Sequence, residues 1–503
     1  MGFGKKLISN TTFLLIDWFL VTALSFLFWL IIGKLLSKQD VGIITTSINT
    51  AIILSSISFF GFSPTISKLI PEYVQRRQQQ LSIALVKFAG KVLLVANISI
   101  VAVFIIFSTQ IASLLKILPV HVALIGIGTL AMSLSDFSGT VLKGFQKMIK
   151  IAVTDTIGYS IKVALTFVLL FFFMSNIIPL IVFSVSYLVI FLLRMKTSLF
   201  LSKGGKLNYR EIISSYAFPS FISSIAWLVF TNAQYVILTF IQDPATTGVF
   251  AIASIVTTLI AVIPVTLSSA FFPILSQLSV NSSFRKSREY LFSNVLRYAF
   301  FISIPLALLF ALFPTKIIIL FSRAEFLDAK YLFPILSLAA ILNGIGILFL
   351  NNLYALKKVK QNRNIIIVTA LIFLSFAIIL TKMFSAFGLS VAYTSSMFFM
   401  FFASLYYVRK IATIKIPVFS ILKIIFAVLL WLITFSFVSN LTSNNILELI
   451  LLIISALIYP IILLPLKFYR KEDIMILEYV KKHVPSFGKP LVDVLIKTIS
   501  KFS

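Results

Sequence analysis

The chain has 503 residues, of which 60% are apolar, and carries a formal net charge of +28. Mean hydropathy is +1.08, and apolar runs of about 20 residues, the length that crosses a bilayer core, recur from end to end. No stretch remains for a soluble domain of ordinary size. The absence of cysteine excludes a disulfide framework, a thiolate metal site and a thiol nucleophile.

In chain order, the first apolar run follows Lys5 and Lys6. It is long, contains Asp17 and lacks a small-residue cleavage site, so it reads as a first span and not as a signal peptide. Fourteen spans are expected, at 12–33, 41–62, 86–108, 119–142, 151–173, 177–194, 213–241, 247–272, 291–314, 331–355, 364–381, 387–407, 418–438 and 446–466. With the N-terminus inside, 33 of the 43 Lys and Arg fall on inside connections and 7 on outside ones. That asymmetry predicts both termini in the cytoplasm, and a basic surface facing anionic lipid head groups instead of nucleic acid. After residue 466, a basic tail reads either as two interfacial helices broken at Pro485 and Pro490 or as a segment without fixed structure. The two histidines, His121 and His483, stand at or beyond span ends with no second ligand at metal spacing, and read as loop or interface residues.

An internal repeat organises the spans. Gly42 opens a span that runs into Pro64, Thr65, Ile66, Ser67, Lys68 and Leu69. Gly248 opens one that runs into Pro273, Ile274, Leu275, Ser276, Gln277 and Leu278. Each closes the second span of a block of six, which predicts two lobes of the same orientation, related by an axis along the membrane normal. The expected units are a first six-helix lobe at 1–194, a cytoplasmic linker at 195–212, a second lobe at 213–407, two added helices at 408–466 and the tail at 467–503.

No phosphate-binding Gly-rich loop, Ser-His-Asp pattern or metalloprotease pattern occurs, and the acids Glu325 and Asp328 of the longest outside connection sit among cations. A membrane glycosyltransferase or polymerase would need an acidic external site and a larger loop. Movement of a substrate, and not chemistry on it, is the expectation.

Charges within the spans carry the argument, because each costs about 2.5–3.5 kcal/mol at a helix centre. Lys162 lies deepest and is expected to face a wet cavity; the structural alternative is a link to Asp155, two turns away, through Tyr159. Arg297 stands about six residues into its span and reads equally as a cavity residue or a snorkelling one. Lys91 reads as an interface lysine. Asp17, Asp136 and Asp155 fall at similar depth in the first lobe. They would either bind a coupling proton or sodium or pair with Lys91 and Lys162. In the second lobe, Asn232, Gln234, Asn343, Asn351 and Asn352 could hydrogen-bond sugars or neighbouring helices.

Several segments resemble, in order, the polysaccharide-export flippases of the multidrug/oligosaccharidyl-lipid/polysaccharide exporter superfamily. They are Lys38 to Gly42 with Phe60 to Lys68, Leu142 to Lys147, Thr247 to Ala253 with Pro273 to Ser276, and Arg323 to Phe326 with Ala355 to Lys358. The resemblance implies an all-α fold of two six-helix lobes around a central cavity, working by alternating access in the plasma membrane. It implies a polyprenyl- or dolichyl-(pyro)phosphate-linked oligosaccharide as substrate, with cavity cations holding its anionic head. That role falls on Lys162 and Arg297 by depth, with Asn232, Gln234 and Asn343 beside them. In the related drug exporters, acids of the first and fifth spans hold a cation, which points to Asp17 and Asp155. No cofactor is expected beyond a coupling proton or sodium. The partners would be the lipid-linked glycan, membrane lipids and glycan-assembly enzymes, with the transporter itself a monomer. The alternatives are a cation-coupled multidrug antiporter and a flippase for a lipid II-type precursor.

Overall fold

The computed structural model describes residues 3–195, 204–205, 207–279, 285–412, 416–439 and 458–470, with scattered residues at 451–456 and 473–500. Side chains are described from Ile16 onward. Among the described residues there is helix and no strand. The first half contains α1 (Phe3–Leu35), α2 (Lys38–Ser58), α3 (Phe62–Gln75), α4 (Gln79–Ile106), α5 (Ser108–Leu115), α6 (Pro119–Gly144), α7 (Met148–Phe173) and α8 (Ile177–Arg194). The second contains α9 (Phe218–Thr231), α10 (Ala233–Ile241), α11 (Pro244–Leu278), α12 (Arg285–Leu312), α13 (Pro314–Phe321), α14 (Phe333–Ala355), α15 (Val359–Ala412), α16 (Val418–Ser439) and α17 (Ile458–Ile462).

Among the described residues, twelve helices are long and apolar enough to span a membrane. One of them, α15, is two expected spans joined at Ser385, whose φ of 54° and ψ of −136° break the helix. Thirteen expected spans therefore have counterparts. The fourteenth, 446–466, and the tail lie largely outside the described residues. The face on which α1 begins carries the Lys- and Arg-rich turns and is called the basic face below.

Three of those turns share one local solution. After α3, α6 and α14, single residues with positive φ (Arg77 at 60°, Gln146 at 56°, Lys357 at 60°) reverse the chain. In each turn the following N–H reaches back to a carbonyl five residues earlier: Gln78 to Tyr73, Lys147 to Leu142 and Lys358 to Leu353, at 2.8–2.9 Å. This is the left-handed helix stop, here built without glycine. Its appearance after both α6 and α14, the fourth and tenth expected spans, is a local sign of the internal repeat.

Two bundles result. In the first, α1 packs on α7, and α6 on α2, α4 and α8; in the second, α14 packs on α11, α12 and α15. Between them, α2 and α11 run in close contact near the face opposite the basic one. The two glycines that begin the repeats meet there. A Cβ on Gly42 would lie 1.7 Å from the Pro244 carbonyl oxygen, and one on Gly248 would lie 1.9 Å from that of Lys38. Only glycine permits this approach. Polar ties flank it: Thr239 shares hydrogen bonds with Thr46 and Thr247, Lys34 donates to the Ile319 carbonyl at 2.6 Å, and Lys38 lies 3.9 Å from Asp328.

The repeat is not followed to its end. The first copy breaks at Phe60 and Gly61, both with positive φ, before α3 begins, whereas the second continues through Leu278 as one helix. The break brings Gly61 against the Ala217 carbonyl, where a Cβ would come within 1.9 Å, and stacks Phe60 on Phe221 at 4.7 Å. The bundles therefore also touch at the basic face.

His121 is fully buried and does not lie in a loop. Its Nδ1 accepts the Leu118 N–H at 3.2 Å and its Nε2 meets Asn176 Oδ1 at 2.9 Å, so it caps α6. His483 lies outside the described residues.

Candidate substrate cavity

Two adjoining spaces lie between the bundles. The larger, about 820 Å³, is lined from α1, α2, α3, α6, α7, α8, α9 and α11. Its charged lining is Asp17, Asp136, Asp155, Lys143 and Arg194. Arg194 ends α8, yet its side chain turns inward and is buried. It forms a 2.6 Å salt bridge with Asp155, donates from Nε to Thr154 Oγ1 at 2.8 Å, and reaches the Ser135 carbonyl at 3.2 Å. Gly139 makes room for it, since a Cβ there would meet the guanidinium at 2.7 Å. Burying an arginine is tolerable only with its charge paired and its donors satisfied, and this site does both.

The smaller chamber, about 290 Å³, lies deeper along α7. Tyr159 and Tyr187 line both spaces, and their hydroxyls are 2.9 Å apart, so the pair stands between the chambers. Lys162, one turn beyond Tyr159, is 5% exposed. Its Nζ sits 4.1 Å from the Tyr159 ring centroid and 4.8 Å from that of Phe28. The ammonium is thus held by π faces, with no carboxylate among the lining residues. Thr45, Asn49, Thr231 and Asn232 supply hydroxyl and amide groups to the same chamber. Asn232 stands at the break between α9 and α10, where φ of −119° and ψ of −31° interrupt the helix.

The structure brings together only part of the expected set. Lys162 and Asn232 share the deep chamber, and Asp17, Asp136 and Asp155 share the large one. The alternative link between Asp155 and Lys162 is absent: Asp155 is taken by Arg194 and Lys162 by aromatic rings. Lys91 is exposed and pairs with none of the three acids. One oxygen of Asp17, Oδ1, is buried without a hydrogen-bond partner. Among the described residues no three acidic or histidine side chains gather to hold a metal ion.

Arg297 lies away from both chambers. It is fully buried within the second bundle. It pairs with Asp473, donates to the Phe468 carbonyl at 3.1 Å, and packs its guanidinium over the Phe468 ring at 5.2 Å. The segment after the last span claims this arginine, which sequence depth alone could not reveal. Gln234 and Asn343 also line neither chamber; Gln234 donates to the Thr231 carbonyl at 3.1 Å. Asn351 bonds Ser268 at 2.8 Å, the interhelical use.

Arg194 and Lys143 are the charges that sequence reading placed in loops. A signal for Arg194 exists. α7 and α8 form a hairpin, and Asp155 stands about as far before the end of α7 as Arg194 stands after the start of α8. Counting back from the turn sets the two opposite each other.

A family model described as polysaccharide biosynthesis protein matches residues 7–279, more than half of the chain. The chain belongs to the polysaccharide biosynthesis protein family. An uncharacterized membrane protein of Methanocaldococcus jannaschii is 22% identical over 479 residues, covering 89% of this chain and 93% of its own length. Among solved structures, the lipid II flippase MurJ in an inward closed conformation matches with a TM-score of 0.73 at 18% identity, covering 89% of this chain and 97% of that one. An inward-facing multidrug resistance MATE family transporter of the MOP superfamily matches with a TM-score of 0.62 at 13% identity, covering 78% and 94%. This member of the polysaccharide biosynthesis family therefore shares the fold of these two structures. The solved neighbours are a flippase and a transporter, not enzymes.

Proposed function

We propose that this membrane protein flips a polyprenyl- or dolichyl-(pyro)phosphate-linked oligosaccharide from the leaflet at its basic face to the opposite leaflet by alternating access. The single observation that carries the reading is the cavity itself. It carries charged and hydroxyl side chains in its lining, lies between two bundles, and has the close Gly42–Gly248 contact toward its far face. Its cations stand at increasing depth: Lys143, Arg194 and then Lys162. Family membership supports a glycan cargo. The charge asymmetry supports a cytoplasmic basic face in the plasma membrane, and hence export.

Each part has a physical task. An anionic head group would lose several kcal/mol or more crossing hydrocarbon unpaired, and a protein-lined path with fixed cations lowers that barrier. Lys162 and Asn232 offer charge and hydrogen bonds at the deep end. Asp17 and Asp136 make no salt bridge among the described residues and are where a coupling proton or sodium would bind. Glycan-assembly enzymes would supply and consume the substrate, and the chain would work as a monomer. Asp17 and Asp136 also favour the rival reading, a cation-coupled drug antiporter; the deep chamber opposes it, because it places Lys162 and no carboxylate where a cationic drug would need a counter-charge.

Reconstitution in liposomes with a fluorescent polyprenyl-pyrophosphate oligosaccharide tests the proposal. The readout is the rate at which the inner-leaflet head group becomes accessible to an impermeant reagent. The wild-type protein accelerates it, and Lys162→Ala slows it at least tenfold while inserting normally. No acceleration by wild-type protein, with or without ion gradients, removes the flippase reading, and protection of cells against cationic dyes would replace it.

A further inference from the structure

A third space, about 570 Å³, lies on the lobe's outer surface and not between the bundles. It is bounded by the start of α7 and the end of α8. Its rim at the basic face is Gln146, Lys147 and Lys150, and its walls deeper in are Val153, Ile157 and Leu193. The positive φ of Gln146 turns the chain so that Lys147 sits exposed at the start of α7. Val153, Ile157 and Leu193 are 41–52% exposed, as suits side chains that face acyl chains. From Lys150 to Ile157 the helix descends about 10 Å. The groove therefore has two ammonium groups at head-group level, apolar walls below them and no acid in its lining. That is the complement of one anionic amphiphile.

We infer that the α7–α8 groove binds the phosphate of an anionic glycerophospholipid at Lys147 and Lys150, with an acyl chain along Val153, Ile157 and Leu193. The groove is also wired to the cavity. Lys150 Nζ bonds the Arg194 carbonyl at 3.3 Å, and Thr154, a groove residue, receives Arg194 Nε at 2.8 Å. Arg194 in turn holds Asp155 inside the large chamber. A lipid phosphate that draws Lys150 toward itself loosens its hold on the last carbonyl of α8. The occupant of the groove thereby biases the Arg194–Asp155 pair.

Basic residues near an anionic surface contribute about 1 kcal/mol each, so two lysines give about 30-fold. The test is native mass spectrometry of the full-length protein with phosphatidylglycerol and phosphatidylcholine of matched chains. Wild-type protein retains phosphatidylglycerol about 30-fold better at one tight site. The K147Q/K150Q variant falls to the phosphatidylcholine level, while K357Q/K358Q, altered elsewhere on the basic face, does not. Ile157→Trp, which fills the groove and leaves both lysines in place, also expels the lipid, so the result does not hang on one variant's folding. Equal retention by wild type and K147Q/K150Q overturns the inference. So does an equal loss in K357Q/K358Q, which would mean diffuse attraction. Complete displacement of phosphatidylglycerol by equimolar polyprenyl phosphate overturns the assignment to glycerophospholipid and gives the groove to the carrier. None of these outcomes depends on transport.

Discussion

Replacing Gly42 by alanine should unseat the seal on the face opposite the basic one. The added Cβ would stand 1.7 Å from the Pro244 carbonyl oxygen and 3.0 Å from the Gly248 nitrogen. A carbon–oxygen contact relaxes only at about 3.3 Å, so α2 and α11 must part by about 1.6 Å. Overpacking of this kind costs about 1–3 kcal/mol, which shifts a two-state equilibrium about 5- to 150-fold toward the form in which these helices are apart. The backbone is what blocks the methyl group, so no side-chain rotamer can absorb it. The chain has no cysteine, so Thr109→Cys and Lys382→Cys provide a clean pair of spin-label sites, one on each bundle. Gly42→Ala should move the measured distance distribution to longer values and expose the cavity at that face to impermeant reagents. Gly248→Ala should do the same, because its Cβ meets the Lys38 carbonyl at 1.9 Å. An unchanged distance distribution in a folded variant would refute the idea that this crossing is the seal.

Two further outcomes follow from the charges. Arg194→Ala leaves the half-buried Asp155 without its partner. It should destabilise the protein by about 3–5 kcal/mol in denaturant titration in detergent, with the Arg194→Met, Asp155→Leu double variant recovering most of the loss; an additive loss in the double variant would contradict the pairing. Arg297→Ala should free the segment around Phe468 and Asp473, seen as faster hydrogen exchange there, while leaving the liposome flipping rate within about twofold. A collapse of flipping in a well-folded Arg297→Ala protein would return that arginine to the cavity.

Much of the architecture was legible in the residues, and for a plain reason. Hydrocarbon demands long apolar helices, so thirteen of the expected spans could be read off with their order. The repeat that begins at Gly42 and Gly248 was legible too, though not its purpose. The two glycines are 206 positions apart, and only the packed structure sets each under the other's carbonyl. The site was legible in part. Lys162 was exposed by its depth alone, because a mid-span lysine must find water, a partner or a π face. Arg297 was misplaced because depth says nothing about the direction in which a helix turns a side chain. Its partner comes from beyond the last span, 176 residues away.

By itself, then, the sequence determined what one-dimensional physics controls: the order of thirteen spans, the charge difference between the two faces, and the presence of costly charges at given depths. The tertiary structure decided which charges meet. Asp155 lies two turns from Lys162 on one helix, yet it pairs with Arg194 on the next, because helix rotation and the room left by Gly139 bring the guanidinium to it. Lys162 is left to Phe28 and Tyr159, at the end of a cavity that exists only once the two bundles have come together.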